Sequence, residues 1–538
     1  MRGSRFETND LETQGSAAPF VHDAASGVAA LTRRRFVAAG AAVAAASLTA
    51  LSSTRAQVAA PPAPRPGGRL RVGMASQGAN EILRPYLAGG EIGLARLRQI
   101  WETLFDLDAA GKIVPRLATE MSFGQNGREW KISLRSGVKW HDGSPFTADD
   151  VVYSLRWYLD PANGAGGRGL ISYINPTNVS AIDPTTVRIL LDHPIAVVQE
   201  SLSSRLLPMF KAGEDPKTTR IGTGPFRVVS FLPGDRSLFA RNREYWVPGR
   251  PYLDELEIIS IADSQARVAA LQSGQVDAIG QFDIALQPTL RPGFKVLNVP
   301  GGGFTCQTMA CDTAPFDDMR VRQAIRLLAN RPQMVSNALL GAGKIGNDLF
   351  NWFDDGYLEL PQRTYDPDRA KFLLRQAGHT NLSLTLATAD AAPGMLQSSV
   401  LLVDSAKAAD VTIRLAVSPP TQYFSGAYGK NPFQCTTWGY RPMFSMFTES
   451  VLSTSATNET RWMRPAFDAR FAQARATFDV ARRNELLAEL QRELHDEGGN
   501  LIWGFLGNVD ATSPRVHGLV PSVVRWLGHY NFTDTYIV

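Results

Sequence analysis

Cysteine is scarce. The 538 residues hold three, Cys306, Cys311 and Cys435, an odd number too small for a disulfide framework. If Cys306 and Cys311 share one strand, their odd separation turns them to opposite faces, and a bridge would need a turn between them. The bland reading is three small buried hydrophobes. Clustered histidine is missing too: seven are scattered along the chain, and no H-E-x-x-H, C-x-x-C or G-x-S-x-G occurs. No metal site, cofactor or nucleophile elbow is therefore expected. An excess of charge of one sign is also lacking. Outside residues 1–56, 49 Lys and Arg face 47 Asp and Glu, and the one basic run is 33–35, which argues against a nucleic-acid-binding face. Nor is there a membrane-length apolar run. Val37 to Leu51 spans fifteen residues, which at about 1.5 Å each falls short of a bilayer core of roughly 30 Å.

That short run follows Thr32-Arg33-Arg34-Arg35-Phe36 and precedes small residues at Thr54 and Ala56. Basic flank, apolar stretch and small-residue exit make residues 1–56 an export signal, and the paired arginines resemble the twin-arginine type. No cysteine lies near its end to take a lipid, so a free periplasmic protein, not held in the membrane once the signal is cleaved, is expected. Residues 57–68, QVAAPPAPRPGG, are a Pro/Gly linker. Beyond it, 44% apolar and 20% charged residues over this length describe globular material for two or three domains.

The most informative stretch is Glu129 to Leu159. Trp130, Ile132 and Leu134 alternate with Lys131, Ser133 and Arg135, which predicts a strand. Asp142-Gly143 turns the chain. Thr147 with Asp150 three residues on forms a capping box ahead of Val151, Val152, Leu155, Tyr158 and Leu159, so a helix follows. His141 reads as a turn residue, having no second ligand at metal spacing.

The order Trp-Lys-Ile-x-Leu-Arg-x-Gly-Val-Lys-Trp-His-Asp-Gly-x-Pro-Phe-Thr-Ala-Asp-Asp-Val-Val-Tyr-Ser-Leu, from Trp130 on, resembles the signature of the family 5 extracellular solute-binding proteins. These are peptide, dipeptide and nickel receptors of bacterial ABC importers. Further segments resemble the family: Ile100 to Phe105, Pro115 to Ala118, Gly222 to Val228, Ala270 to Asp277 and Pro315 to Ile325. In the last, Asp317 is expected to cap a helix. Asp263, Asn330-Arg331-Pro332 and Asp366-Pro367 mark other helix starts. Glu485 to Leu494 is amphipathic, and Leu501 to Phe505 reads as a buried strand.

The resemblance implies an α/β, two-lobe periplasmic binding protein fold (type II, cluster C-like) with an extra subdomain in lobe I. By analogy, lobe I takes 69–100, 220–297 and the return 500–538. The extra subdomain takes 101–219, and lobe II takes 298–499. It also implies a small-molecule or peptide ligand between the lobes, ABC permease subunits as partners, and a monomer without catalysis.

Two stretches match G-x-G-x-x-G, Gly164-Gly166-Gly169 and Gly341-Gly343-Gly346, but neither stands between a strand and a helix as a dinucleotide site requires. For ligand contact the resemblance points to the strand and loop Thr436 to Arg441. Dipeptide receptors place an Asp there for the ligand's ammonium, where this chain has Gly439, Tyr440 and Arg441. The arginine such receptors use for the ligand carboxylate is likewise not evident at Ala391 to Gly394. A short zwitterionic peptide is thus disfavoured, while Arg441 offers a fork for a carboxylate or phosphate and Trp438 and Tyr440 offer aromatic faces. Gly302, within Gly301-Gly302-Gly303-Phe304, can bring backbone close to a ligand, and Phe304 and Trp352 complete the candidate ligand-binding set. The alternative is a secreted hydrolase with a dispersed active site.

Overall fold

The computed structural model describes residues 62–75, 78–87 and 90–538. Residues 1–56, expected from the sequence to be an export signal, and the first part of the expected linker lie outside them. Within the described residues no helix is long and apolar enough to cross a membrane.

An eleven-stranded mixed sheet runs through the molecule. Its order is Thr412–Val417, Ser383–Thr388, Phe433–Trp438, Lys295–Met309, Asn500–Thr512, Ala278–Ile279, Arg69–Met74, Glu255–Ser260, Arg236–Arg241 and Phe226–Leu232, with Gly343–Ile345 as a side branch on Asn500–Thr512. Two strands in the middle are much longer than the rest, Lys295–Met309 with 15 residues and Asn500–Thr512 with 13. They pair antiparallel from Lys295↔Thr512 to Pro300↔Gly507, lose register, and resume at Phe304↔Phe505. Each long strand therefore serves both halves of the sheet.

The cores segregate accordingly. Leu70, Val72, Phe226, Leu256 and Ile258 pack with Leu527, Tyr530 and Phe532 in one. Val321, Leu328, Leu374, Leu386 and Trp503 pack in another. This is a two-lobe α/β fold crossed by two strands.

The segment 101–219 builds its own antiparallel sheet, ordered Ala118–Gly124, Glu129–Leu134, Thr186–Leu190 and Val179–Asp183. The alternation predicted for Trp130, Ile132 and Leu134 is present, all three being buried with Val151, Leu155 and Tyr158 of the helix Ala148–Leu159. The Thr147 N–H donates to Asp150 Oδ2 at 2.8 Å, and the same carboxylate takes Trp140 Nε1 at 3.1 Å and Ala212 N at 2.8 Å. Asp150 thus ties turn, helix and a distant strap together. His141 bridges to the 222–228 segment, with Nε2 3.0 Å from Gly224 O and Nδ1 3.3 Å from Gly222 N. Burial pushes its pKa down to about 4, so the imidazole is neutral and structural.

Other helix starts follow the sequence closely. Asp263, Asn330 and Asp366 accept from Ala266 N, Gln333 N and Arg369 N. At Met319–Leu327 the cap is Asp318, one residue later than expected, because Asp318 accepts from Arg320 N. The three thiols are free, with Cys306 and Cys435 buried.

Candidate functional site

The register break between Pro300 and Phe304 is where the two halves of the sheet meet, and three glycines fill it. A Cβ on Gly302 would lie 2.5 Å from Tyr440 Cδ2 and 2.8 Å from Phe353 Cε1. The glycine therefore admits the protein's own aromatic rings. Its N–H donates to Val523 O at 2.9 Å, which brings the 522–526 segment alongside.

The strand Phe433–Trp438 ends at this point and delivers the next residues as a loop. Beside it lies a cavity of about 380 Å³. Gly90 and Glu91 wall it from one side, Ala391 to Pro393 with Trp438 and Tyr440 from another, and Asn508 with Val524 to Trp526 from a third. A further cavity of about 460 Å³ shares the Ala391–Pro393 wall and extends toward Arg267 and Asp283.

Arg525 is central. Its Nη1 sits 2.5 Å from Glu91 Oε1, and Nη2 donates to Tyr440 O at 3.4 Å. Tyr530 OH donates to the other oxygen of Glu91. Burial works to raise the Glu91 carboxyl, but Arg525 and Tyr530 outweigh it and hold the pKa below the ordinary carboxylate value. Gly439 makes this possible, because a Cβ there would come within 2.7 Å of Arg525 Nη1.

Tyr440 is fixed at both ends. Its ring packs at a 37° tilt against Phe353 with centroids 4.6 Å apart, and its hydroxyl donates to Asp354 Oδ1 at 2.7 Å. Burial pushes Asp354 up to about 7. Trp438 Nε1 donates to Glu459 Oε1 at 3.0 Å, which also receives Thr436 Oγ1 at 2.8 Å and the Tyr428 hydroxyl. Burial holds Glu459 well above the usual carboxylate range. Trp438 thus keeps its edge anchored and one face beside the cavity.

The six residues expected from sequence divide in place. Trp438 and Tyr440 wall the 380 Å³ cavity, and Gly303 does so in place of its neighbour Gly302. Phe304 is 1% exposed and packs on Phe350 and Phe505. Trp352 is turned into the same core, donating to Gly301 O at 2.9 Å under the Lys344 ammonium. Arg441 stands over the Trp438 ring at 4.7 Å but spends its donors on Glu449 Oε2 at 2.6 Å and Gly439 O at 2.8 Å. It lines a smaller neighbouring cavity.

Sequence reasoning did not find Glu91, Asn508 or Arg525. They stand in three stretches far apart in the chain, and nothing in their local pattern marks them. Among the described residues no group of His, Cys, Asp or Glu is placed to hold a metal ion.

The family model for bacterial extracellular solute-binding proteins, family 5 Middle, matches residues 112–462. The chain belongs to that family. Membership places the protein outside the cytoplasmic membrane, in the periplasm. The glutathione-binding protein GsiB of Escherichia coli K12 is 30% identical over 316 residues, covering 56% of this chain and 60% of that relative. Among solved structures, the periplasmic binding protein AgaA of A. tumefaciens R10 in complex with agropinic acid has a TM-score of 0.76 at 21% identity, over 88% of this chain and 99% of that one. DppA of Helicobacter pylori in complex with the peptide STSA has the same TM-score and identity, over 88% and 98%. These likenesses agree on the two-lobe fold.

Proposed function

We infer that this protein is the solute-binding component of an ABC importer. It captures a small organic solute between its lobes and presents the closed form to the membrane permease. The observation that carries the reading is the cavity of about 380 Å³ walled jointly by Glu91, Arg525 and Trp526 and by Trp438 and Tyr440 from across the register break. That volume is in the range of small-molecule sites, and aromatic faces beside a few fixed polar groups are the usual composition of one.

In this reading lobe I comprises 69–100, 220–297 and 500–538, with 101–219 as its extra subdomain, and lobe II comprises 298–499. Closure is a hinge motion about the two long strands. A ligand drives it because it touches both walls at once; contact with one wall alone would shift nothing. The relatives bind glutathione, agropinic acid or a peptide, and a solute of similar size suits this cavity. No covalent step is required, so the protein acts as a monomeric receptor without turnover. Residues 1–56 direct its export through the twin-arginine route.

Mass spectrometry of molecules co-purifying with the protein, followed by calorimetric titration and small-angle scattering, tests the proposal. Saturable binding with a smaller radius of gyration on adding the recovered solute is expected. Conversion of that solute to product, abolished by one Ser, Asp or His substitution, would instead establish the hydrolase alternative.

A further inference from the structure

The segment 101–219 is rooted in lobe I at both ends. Trp101 Nε1 donates to Ile221 O at 2.8 Å and Gly224 N to Ile100 O at 2.9 Å, so the chain leaves and returns at one place. The same segment also reaches lobe II, where two insertions of opposite direction join them.

The first is aromatic. Phe123 and Trp130 stand directly opposite each other on neighbouring strands of the four-stranded sheet, which puts their side chains on one face. Phe478, from the loop between the helices Pro465–Ala476 and Val480–Glu497, lies against both, with ring centroids 4.5 and 6.0 Å away. Its ring edge takes the place that a Cβ on Gly127 would occupy, so the socket depends on glycine in that turn. The second insertion runs the other way. Val197 is buried in the core built by Phe444, Phe447 and Phe471, and Ile195 packs against the cores on both sides. Around them Ala196 N donates to Arg475 O at 2.7 Å, Ser445 N donates to Glu200 Oε1 at 3.0 Å, and Lys112 pairs with Asp355. The junction is shallow: Phe123 is 55% exposed, and water can replace each of these polar partners. The segment keeps its own core of Ile132, Val151, Leu155 and Tyr158, so parting the junction leaves it folded.

We propose that the segment 101–219 is a clasp: Phe478 in its Phe123–Trp130 socket and Val197 in the opposite core hold the two lobes against each other without any solute, and both must part before the lobes swing open. The inference goes beyond the receptor reading and rests on the hinge motion in it. A clasp of this kind raises the closed fraction, so the solute supplies less of the free energy of closure. Weakening it lowers apparent affinity in the proportion by which the closed fraction falls.

The test is hydrogen exchange of the full chain, dialysed and without added solute, read by mass spectrometry and joined to small-angle scattering. Phe478→Ser should speed exchange about tenfold in the peptides covering 194–200 and 443–450, whose Ala196 and Ser445 amides bond across the junction, because one buried ring no longer opposes local opening. Its radius of gyration should exceed that of wild type, while the strand Glu129–Leu134 exchanges as before. Unchanged exchange in both junction peptides, or an unchanged radius, overturns the clasp. Faster exchange that spreads through Glu129–Leu134 also overturns it, since Phe478 would then only support the sheet. If Phe478→Ser does not fold, Phe478→Leu decides: faster exchange confined to the junction peptides supports the clasp, and no change overturns it. A captured solute that compacts the protein, beside unchanged exchange in Phe478→Ser, overturns the clasp and leaves the receptor reading standing. Faster junction exchange and a larger radius in a protein that captures no solute support the clasp and remove the receptor reading.

Discussion

The Arg525 guanidinium occupies the space that any side chain at residue 439 would need, with Nη1 2.7 Å and Nη2 2.9 Å from the position of a Cβ on Gly439. A glycine in the loop after one strand is thereby coupled to an arginine near the C-terminus, and both stand on the cavity wall.

Gly439→Ala should displace Arg525 from Glu91 and from the Tyr440 carbonyl while leaving the cores intact. The expected result is at least a tenfold loss of affinity for the recovered solute, about 1.4 kcal/mol, together with a lower melting temperature, because Glu91 is left without its partner. Titration of the variant beside wild type measures it. Unchanged affinity would mean that Arg525 takes no part in binding.

Gly302→Ala acts on stability as well. The added methyl meets Tyr440 and Phe353 at 2.5 and 2.8 Å, and overpacking of this kind costs about 1–3 kcal/mol. Urea unfolding should show that loss, with affinity reduced in parallel because Tyr440 walls the cavity. Gly303→Ala meets its nearest atom, Trp438 O, at 3.2 Å and should cost less.

Asp150→Ala removes a carboxylate that serves Thr147 N, Trp140 Nε1 and Ala212 N together. Leaving these donors without a partner should cost about 3 kcal/mol. Chemical denaturation should report it, and a loss under about 1 kcal/mol would mean that water replaces the carboxylate.

Stability should fall as the solution turns from mildly acid to mildly alkaline. Burial pushes Glu200, which accepts from Ser445 N at 3.0 Å, up to about 8, and Asp354 up to about 7. Their protons are held more tightly in the folded chain than in the unfolded one. The stabilisation is therefore full below the ordinary carboxylate pKa of about 4 and is lost as pH rises through about 7 to 8. Asp510, raised to about 8, acts in the same direction. Urea midpoints between about pH 6.5 and 8 should decline, above the range in which His141 and His529, held neutral by burial, oppose the trend, and Glu200→Gln should flatten part of the slope. Midpoints that rise over this range would contradict the assignment.

The sequence by itself determined the local elements and the family. Strand alternation at Trp130, Ile132 and Leu134 and the caps at Asp263 and Asp366 depend on neighbours within a few residues, where propensity and hydrogen-bonding geometry act directly. The loop Trp438 to Arg441 was marked by the family resemblance and by no local pattern, and the structure sets Trp438 and Tyr440 on the 380 Å³ cavity and Arg441 on a smaller one. The displacement of Phe304 and Trp352 into the core was not legible, because an aromatic residue packs equally well in a core or on a cleft wall until its neighbours are known. Only the tertiary structure decided that Glu91, Arg525 and the Tyr440 carbonyl meet. A charge constellation drawn from segments hundreds of residues apart has no period or spacing to read, and it forms only when two long strands carry both halves of one sheet past each other.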